Sequence, residues 1–111
     1  MVLAIRPATA ADVPLILSFI RQLAEYERLA EACVATEARL HSTLFDGIPA
    51  AEVLIAEQDG DPAGFALFCH NYSTFLAQRG LWLEDLFVQP QSRGAGVGRA
   101  LLERLATIAL E

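Results

Sequence analysis

The residues best suited to chemistry lie in one stretch, residues 83–98, with the sequence LEDLFVQPQSRGAGVG. Two acids, Glu84 and Asp85, sit within an apolar strand pattern, and a turn with three glycines follows. A carboxylate can hold a cationic amine and accept its proton. A glycine-rich turn at the start of a helix offers backbone N–H groups to an anion. The stretch therefore predicts an anion site next to an acidic one.

The glycine spacing excludes the two commonest phosphate loops. A dinucleotide fingerprint, G-x-G-x-x-G, fails because its last position falls on Arg99 or Leu101. A P-loop requires a lysine, and the chain contains none. The pattern that fits is Arg/Gln-x-x-Gly-x-Gly, formed by Arg93, Gly96 and Gly98. As a mere connection, these glycines would each weaken the helix by about 1 kcal/mol without return.

The two acids invite different interpretations. Adjacent residues of a regular strand face opposite sides, so we expect only one acid to face a given cleft. An amine with a pKa of about 10 must lose a proton before it can act as a nucleophile, and a carboxylate serves that step. We expect Asp85 to be structural, bonded to the backbone or to an arginine. Trp82 shares the face of Glu84, and the sequence leaves open whether it belongs to the core or to a pocket wall.

The remaining elements form a single α/β domain over residues 1–111. Thr9 and Asp12 form a capping box for a first helix that ends at Arg28 or Leu29, and Thr36 caps a second helix that ends at Asp46-Gly47. The predicted strands and last helix complete the order β-α-α-β-β-β-α: strands 2–5, 52–58, 63–72 and 80–88, a turn at 59–62, a loop at 73–80, and a helix from 95 or 96 to 111. This order indicates a mixed sheet with helices packed on it.

The amino-acid composition limits the classes of binding partner that we expect for this protein. The net charge is −6, which disfavours nucleic acid and anionic membranes and is compatible with a cationic substrate. The apolar runs are too short to cross a bilayer, and no signal peptide is visible, so we expect a cytoplasmic protein. The lack of lysine with abundant alanine suggests a bacterial genome. Four residues, Cys33, Cys69, His41 and His70, show no metal-ligand or disulfide spacing, and we predict no metal site.

At the glycine loop the chain resembles the GCN5-related N-acetyltransferase (GNAT) family. The resemblance implies a mixed, mainly antiparallel sheet flanked by helices, with acetyl-CoA as co-substrate. Its pyrophosphate would lie on a loop whose members run from Arg93 to Arg99: Arg93, Gly94, Ala95, Gly96, Val97, Gly98 and Arg99. The backbone of Leu86 and Val88 would meet the pantetheine arm and the acetyl group.

Three motifs in separate parts of the sequence indicate which branch of the family the chain resembles. Residues 5–12 (IRPATAAD), 23–27 (LAEYE) and 83–88 (LEDLFV) are similar to the diamine (spermidine/spermine) and thialysine acetyltransferase branch. The resemblance implies that Glu84 binds the acceptor amine and receives its proton. It also implies that Tyr26 and Glu27 lie beside the cationic chain of the substrate, where cation–π contact and ion pairing would act.

The family pattern continues past residue 111 with a strand, a helix and a hairpin, and with the tyrosine that acts as general acid. We therefore expect residues 1–111 to be an incomplete domain, and, if the chain is complete, a homodimer or swapped assembly. Three functions stay open: acetylation of a small cationic amine, acetylation of a protein amine, and an inactive module that binds or senses acyl-CoA.

Overall fold

A four-stranded sheet forms the centre of the molecule. The computed structural model describes residues 2–111, and its strands lie side by side in chain order, each antiparallel to its neighbours. The sheet predicted as mixed and mainly antiparallel is thus antiparallel throughout this part of the chain. Its strands are β1 (Leu3–Pro7), β2 (Glu52–Gln58), β3 (Asp61–Ser73) and β4 (Gln78–Val88).

Three helices cover the two faces of the sheet: α1 (Val13–Tyr26), α2 (Glu37–Leu44) and α3 (Val97–Ala109). Helices α1 and α2 pack on one side, here called the α1 face, and α3 packs on the other, the α3 face. Phe19 of α1 is completely buried and stacks on Phe65 of β3, with 5.4 Å between ring centroids. The α/β architecture predicted from the sequence is confirmed.

Helix α1 begins as predicted and ends earlier. The backbone N–H of Thr9 donates to the carboxylate of Asp12 at 2.7 Å, which is one half of the capping box. One turn of 3₁₀ helix at 10–12 precedes the α-helix. The predicted end at Arg28 or Leu29 is wrong, because Arg28 adopts a left-handed conformation with φ of 59° that cannot continue a helix.

Strands β3 and β4 are longer than predicted. Half of the residues predicted as a loop at 73–80 belong to these strands, since Tyr72 pairs with Arg79 and Ser73 with Gln78, and only residues 74–77 form the turn. At the other end, only Asp59 and Gly60 form the turn, with φ of 53° and 87°. Two successive positive φ angles match the right-handed twist of a hairpin, so β3 can begin at once.

Strand β4 contains one residue more than its partner requires. Leu67 pairs with Asp85, whereas the next residue, Phe68, pairs with Leu83, so Glu84 has no partner on β3. This is a β-bulge, and bulges re-aim the side chains around them.

Within residues 2–111, no helix is long and apolar enough to cross a bilayer. The same residues contain no cluster of three or more histidine, cysteine or acidic side chains that could hold a metal ion. Cys33 and Cys69 are half-buried thiols, and no disulfide joins them.

Candidate functional site

The bulge places both acids of β4 on the same side of the sheet. Leu83 and Leu86 both pack against α3, although three positions separate them. The regular alternation of the strand is therefore broken between them, and Glu84 and Asp85 both lie on the α1 face. The expectation that the two acids face opposite sides is wrong, because it assumed a regular strand.

A cavity of about 250 Å³ lies where the end of α1 meets β4. Two acids, Glu27 and Asp85, border it, while the rest of its wall is mainly apolar. Such a lining suits an aliphatic chain that carries positive charge. The apolar wall comes from α1 and the segment that follows it: Ile20, Leu23, Ala24, Leu29, Ala32 and Cys33.

Two nearby carboxylates act on Asp85, which borders this cavity. Burial raises the pKa of Asp85 above its ordinary value, and the negative charges of Glu84 and Glu27 raise it further. The expected arginine partner of Asp85 is not found among residues 2–111. A carboxylate that has acidic neighbours and no cationic partner favours the binding of a cationic group.

Trp82 lies on the surface rather than in the core. Its side chain is 56% exposed. Its indole N–H donates to the carboxylate of Glu84 at 3.1 Å. Of the two alternatives that the sequence left open, the core is thereby excluded, and the contact gives the exposed Glu84 side chain a fixed partner.

The glycine-rich loop turns through two left-handed residues before α3. Gly94 and Gly96 have φ of 82° and 83°, and Gly96 caps the helix. The first backbone bond of α3 runs from Ala100 N–H to the Gly96 carbonyl, at 3.0 Å. The N–H groups of residues 97–99 precede that bond, so the helix itself does not use them. They form the donor set that an anion would require.

Strand β4 is the last strand of the sheet, so one of its edges has no strand beside it among residues 2–111. The N–H of Gln89 bonds to the Ala63 carbonyl on β3 at 2.8 Å. Backbone groups alternate in direction along an antiparallel strand. Phe87 therefore also faces β3, whereas Leu86 and Val88 turn their N–H and C=O groups toward the open edge. These two positions are the ones predicted to contact pantetheine.

Arg93 joins this edge to helix α1, a contact that the sequence analysis missed. Its Nε donates to the Val88 carbonyl at 3.1 Å. Its guanidinium carbon lies 4.7 Å from the centroid of the Tyr26 ring and 5.8 Å from that of Phe87. The ring of Tyr26, expected to meet a substrate cation, thus already has a cation over it.

The other predicted residues are arranged as follows. Arg99 extends along α3 and pairs with Glu103 at 3.0 Å. Val97 is buried under the loop, and Ala95 is half-buried beside it. His70 contacts Glu52 on β2, with 3.0 Å between Nε2 and the carboxylate. The structure therefore brings Tyr26, Arg93 and the end of β4 together, and it brings the acids Glu27, Glu84 and Asp85 together.

Comparison with known proteins identifies relatives of this chain. The model of the acetyltransferase (GNAT) family matches residues 20–111. Thialysine N-epsilon-acetyltransferase from Bos taurus is 36% identical over 115 residues, which cover 96% of this chain and 67% of the relative. L-ornithine N5-acetyltransferase from Arabidopsis thaliana is 32% identical, with the same coverage of both chains.

A solved structure shares the fold at lower identity. Ribosomal-protein-alanine N-acetyltransferase from Brucella melitensis biovar Abortus 2308 superposes with a TM-score of 0.80 at 23% identity. The match covers 98% of this chain and 72% of that one. The similarity therefore extends over nearly every element described above.

Proposed function

This chain belongs to the GNAT family of acetyltransferases, and we propose that it transfers an acetyl group from acetyl-CoA to the primary amine of a small cationic molecule. The observation that supports the choice of acceptor is the proximity of three carboxylates: Glu27 and Asp85 border the cavity, and the charges of Glu84 and Glu27 both act on Asp85. Three carboxylates without a cation among them favour a positively charged guest. The two relatives described above are named as acetyltransferases of thialysine and ornithine, which supports the same class of acceptor.

Acetyl-CoA would lie along the open edge of β4. The backbone N–H groups at 97–99 would receive the pyrophosphate, and Leu86 and Val88 would meet the pantetheine arm. Gly98 lies beside this edge, since a Cβ atom at that position would stand 3.7 Å from the Val88 side chain. The thioester would then reach the strand close to the bulge.

Glu84 would act on the acceptor. The protonated amine gives its proton to the carboxylate, directly or through water, and the nitrogen lone pair then attacks the thioester carbonyl. A C–N bond forms, the C–S bond breaks, and coenzyme A leaves as a thiolate that takes up the second proton lost by the attacking nitrogen. Much of the rate gain comes from holding the two reactants together. Glu27 and Asp85 would hold the distal charge of the acceptor in the apolar cavity.

The test combines calorimetric titration of acetyl-CoA with an assay of coenzyme A release against spermidine, thialysine, ornithine and a peptide N-terminus. We expect binding and turnover on the small amines. Glu84→Gln should lower kcat by about 100-fold, with acetyl-CoA affinity unchanged. Glu25→Gln, an exposed acid on α1, is the matched control.

Other outcomes would point to the other functions. Binding of acetyl-CoA without acetylation of any amine would favour an acyl-CoA sensor. Acetylation of the peptide alone would favour a protein acceptor. Unchanged turnover in Glu84→Gln would exclude Glu84 as the base. A homodimer and a cytoplasmic location stay predictions, which light scattering and cell fractionation can check.

A further inference from the structure

We infer that Arg93 is a positioning residue that couples the acceptor site to the acetyl-CoA site, and that it does so by stacking its side chain on Tyr26. The inference rests on the proposed function, since it concerns how the two halves of that site communicate. The alternative is that the guanidinium itself binds the cofactor phosphates.

The first support is the number of contacts that hold the side chain. The Nε atom bonds to the Val88 carbonyl, while the guanidinium carbon lies over Tyr26 and within reach of Phe87. An arginine on an aromatic face gains electrostatic and stacking energy together. The side chain is thus directed back toward α1 and away from the helix start at residue 97.

The second support is where those contacts lie in the chain. Tyr26 is the last residue of α1, one position before Glu27, which borders the cavity. Arg93 is the residue at which the glycine loop begins, and Val88 is the last residue of β4. One side chain therefore bridges the acceptor wall, the cofactor edge and the loop.

The third support is that the two left-handed glycines that follow Arg93 add no side-chain contacts of their own. Gly94 and Gly96 have left-handed backbones, and a Cβ atom at either position would meet nothing within 4 Å. With Arg93 held, the loop starts from a fixed point. With Arg93 released, the N–H groups at 97–99 would lose part of their alignment to an anion. An acceptor that orders Tyr26 and Glu27 would then also favour cofactor binding, and linkage makes the effect reciprocal.

The experiment is a double-mutant cycle on acetyl-CoA affinity, with Arg93→Gln, Tyr26→Leu and the double variant. We expect each single change to weaken affinity about 5-fold, and the double change to weaken it no further than either alone. Tyr26→Phe retains a ring and should restore affinity to within about twofold of the unmodified protein. Tyr72→Leu and Arg104→Gln, both exposed and outside the site, are the controls.

A second readout does not depend on the cofactor. The Nε–H resonance of Arg93 should carry a ring-current shift that Tyr26→Leu removes and Tyr26→Phe retains. If that signal does not move in Tyr26→Leu, the stacking does not exist in solution and the inference is overturned. It is also overturned if Arg93→Gln weakens affinity while Tyr26→Leu does not, because Arg93 would then act on the cofactor directly.

Failure of the proposed function looks different. In that case the unmodified protein would either not bind acetyl-CoA or bind it without acetylating any amine, and the coupling inference would fall with it. Failure of the inference alone appears only in the variants, while the unmodified protein binds acetyl-CoA normally.

Discussion

The indole N–H of Trp82 donates a hydrogen bond of 3.1 Å to the carboxylate of Glu84, two residues further along β4. The two side chains share one side of the strand just before the bulge. A tryptophan that is more than half exposed gains little from burial, so its value here lies in the orientation it gives to the acid.

Trp82→Phe tests this orientation. The change keeps an aromatic ring and removes the donor, so we expect kcat to fall about 3- to 10-fold with acetyl-CoA affinity unchanged. In the Glu84→Gln background the same change should cost nothing more, because the carboxylate that it orients is gone. Steady-state kinetics on the four proteins measures both effects. Phe75→Leu, an exposed aromatic on the same hairpin, serves as the control.

Asp85→Asn should stabilise the protein and weaken acceptor binding. Because the pKa of Asp85 is raised in the folded state, folding is penalised above the unfolded pKa of about 4, where the unfolded carboxylate is ionised. The variant should therefore have a higher Tm at pH 7. That gain should disappear below about pH 4, where the carboxyl is protonated in both states. A variant that is less stable than the parent at pH 7 would contradict the electrostatic account.

Gly98→Ala separates structure from function in the loop. An alanine Cβ would meet only ordinary contacts at 3.7 and 4.0 Å and would suit the helix, so stability should stay equal or rise by up to about 1 kcal/mol. Acetyl-CoA affinity should nevertheless fall about 10-fold. The added methyl group would stand where we propose that the pyrophosphate of the cofactor approaches the protein backbone. Unaltered affinity would show that the cofactor does not come close to this residue.

Gly96 in the loop can be compared with Gly60, a glycine of similar backbone conformation in the β2–β3 turn. Gly96 and Gly60 have similar φ angles, 83° and 87°, and neither has an atom near its Cβ position. Alanine at either site should cost about 1–2 kcal/mol of stability through backbone strain. Only Gly96→Ala should also weaken acetyl-CoA binding, and thermal melts with calorimetric titration distinguish the two.

Asp12 should govern acid stability. Its hydrogen bonds from the Arg6 guanidinium, both 2.8 Å long, lower the pKa of Asp12 from 3.8 to about 2. A lowered folded pKa gives stability that is present above about pH 4 and is lost as the pH falls toward 2. Asp12→Asn should cost about 1–2 kcal/mol at pH 7 and much less at pH 2. Asp46→Asn, which changes an exposed acid, is the control.

Local sequence signals predicted most of the fold, because the decisive interactions are local. The capping residues Thr9 and Thr36 mark the two helix starts, and the alternating and continuous apolar runs mark the strands. Element ends were less accurate: Arg28 takes a left-handed conformation, and the strands around residues 73–80 are extended by pairing with each other, which no local propensity reveals.

The candidate site was predicted in its parts and missed in its assembly. The residue types at 26, 27, 84 and 93–99 predicted acids and an aromatic side chain near the substrate, and a candidate phosphate-binding loop. The bulge that turns Asp85 to the same side as Glu84 depends on pairing with β3, a partner strand with its own register. The stacking of Arg93 on Tyr26 joins residues 67 positions apart, and only the closed fold brings them together.

Because Glu84 has no partner on β3, it could be deleted from β4 without disturbing the pairing of the two strands. If Glu84 were deleted, Leu83 and Asp85 would become neighbours, and the ladder with β3 would run without interruption. Every other side chain would keep its present face of the sheet, because the break in the alternation of side chains disappears together with the extra residue. Glu84 therefore behaves as a one-residue insertion in an otherwise complete strand: the sheet can do without it, and the proposed chemistry cannot.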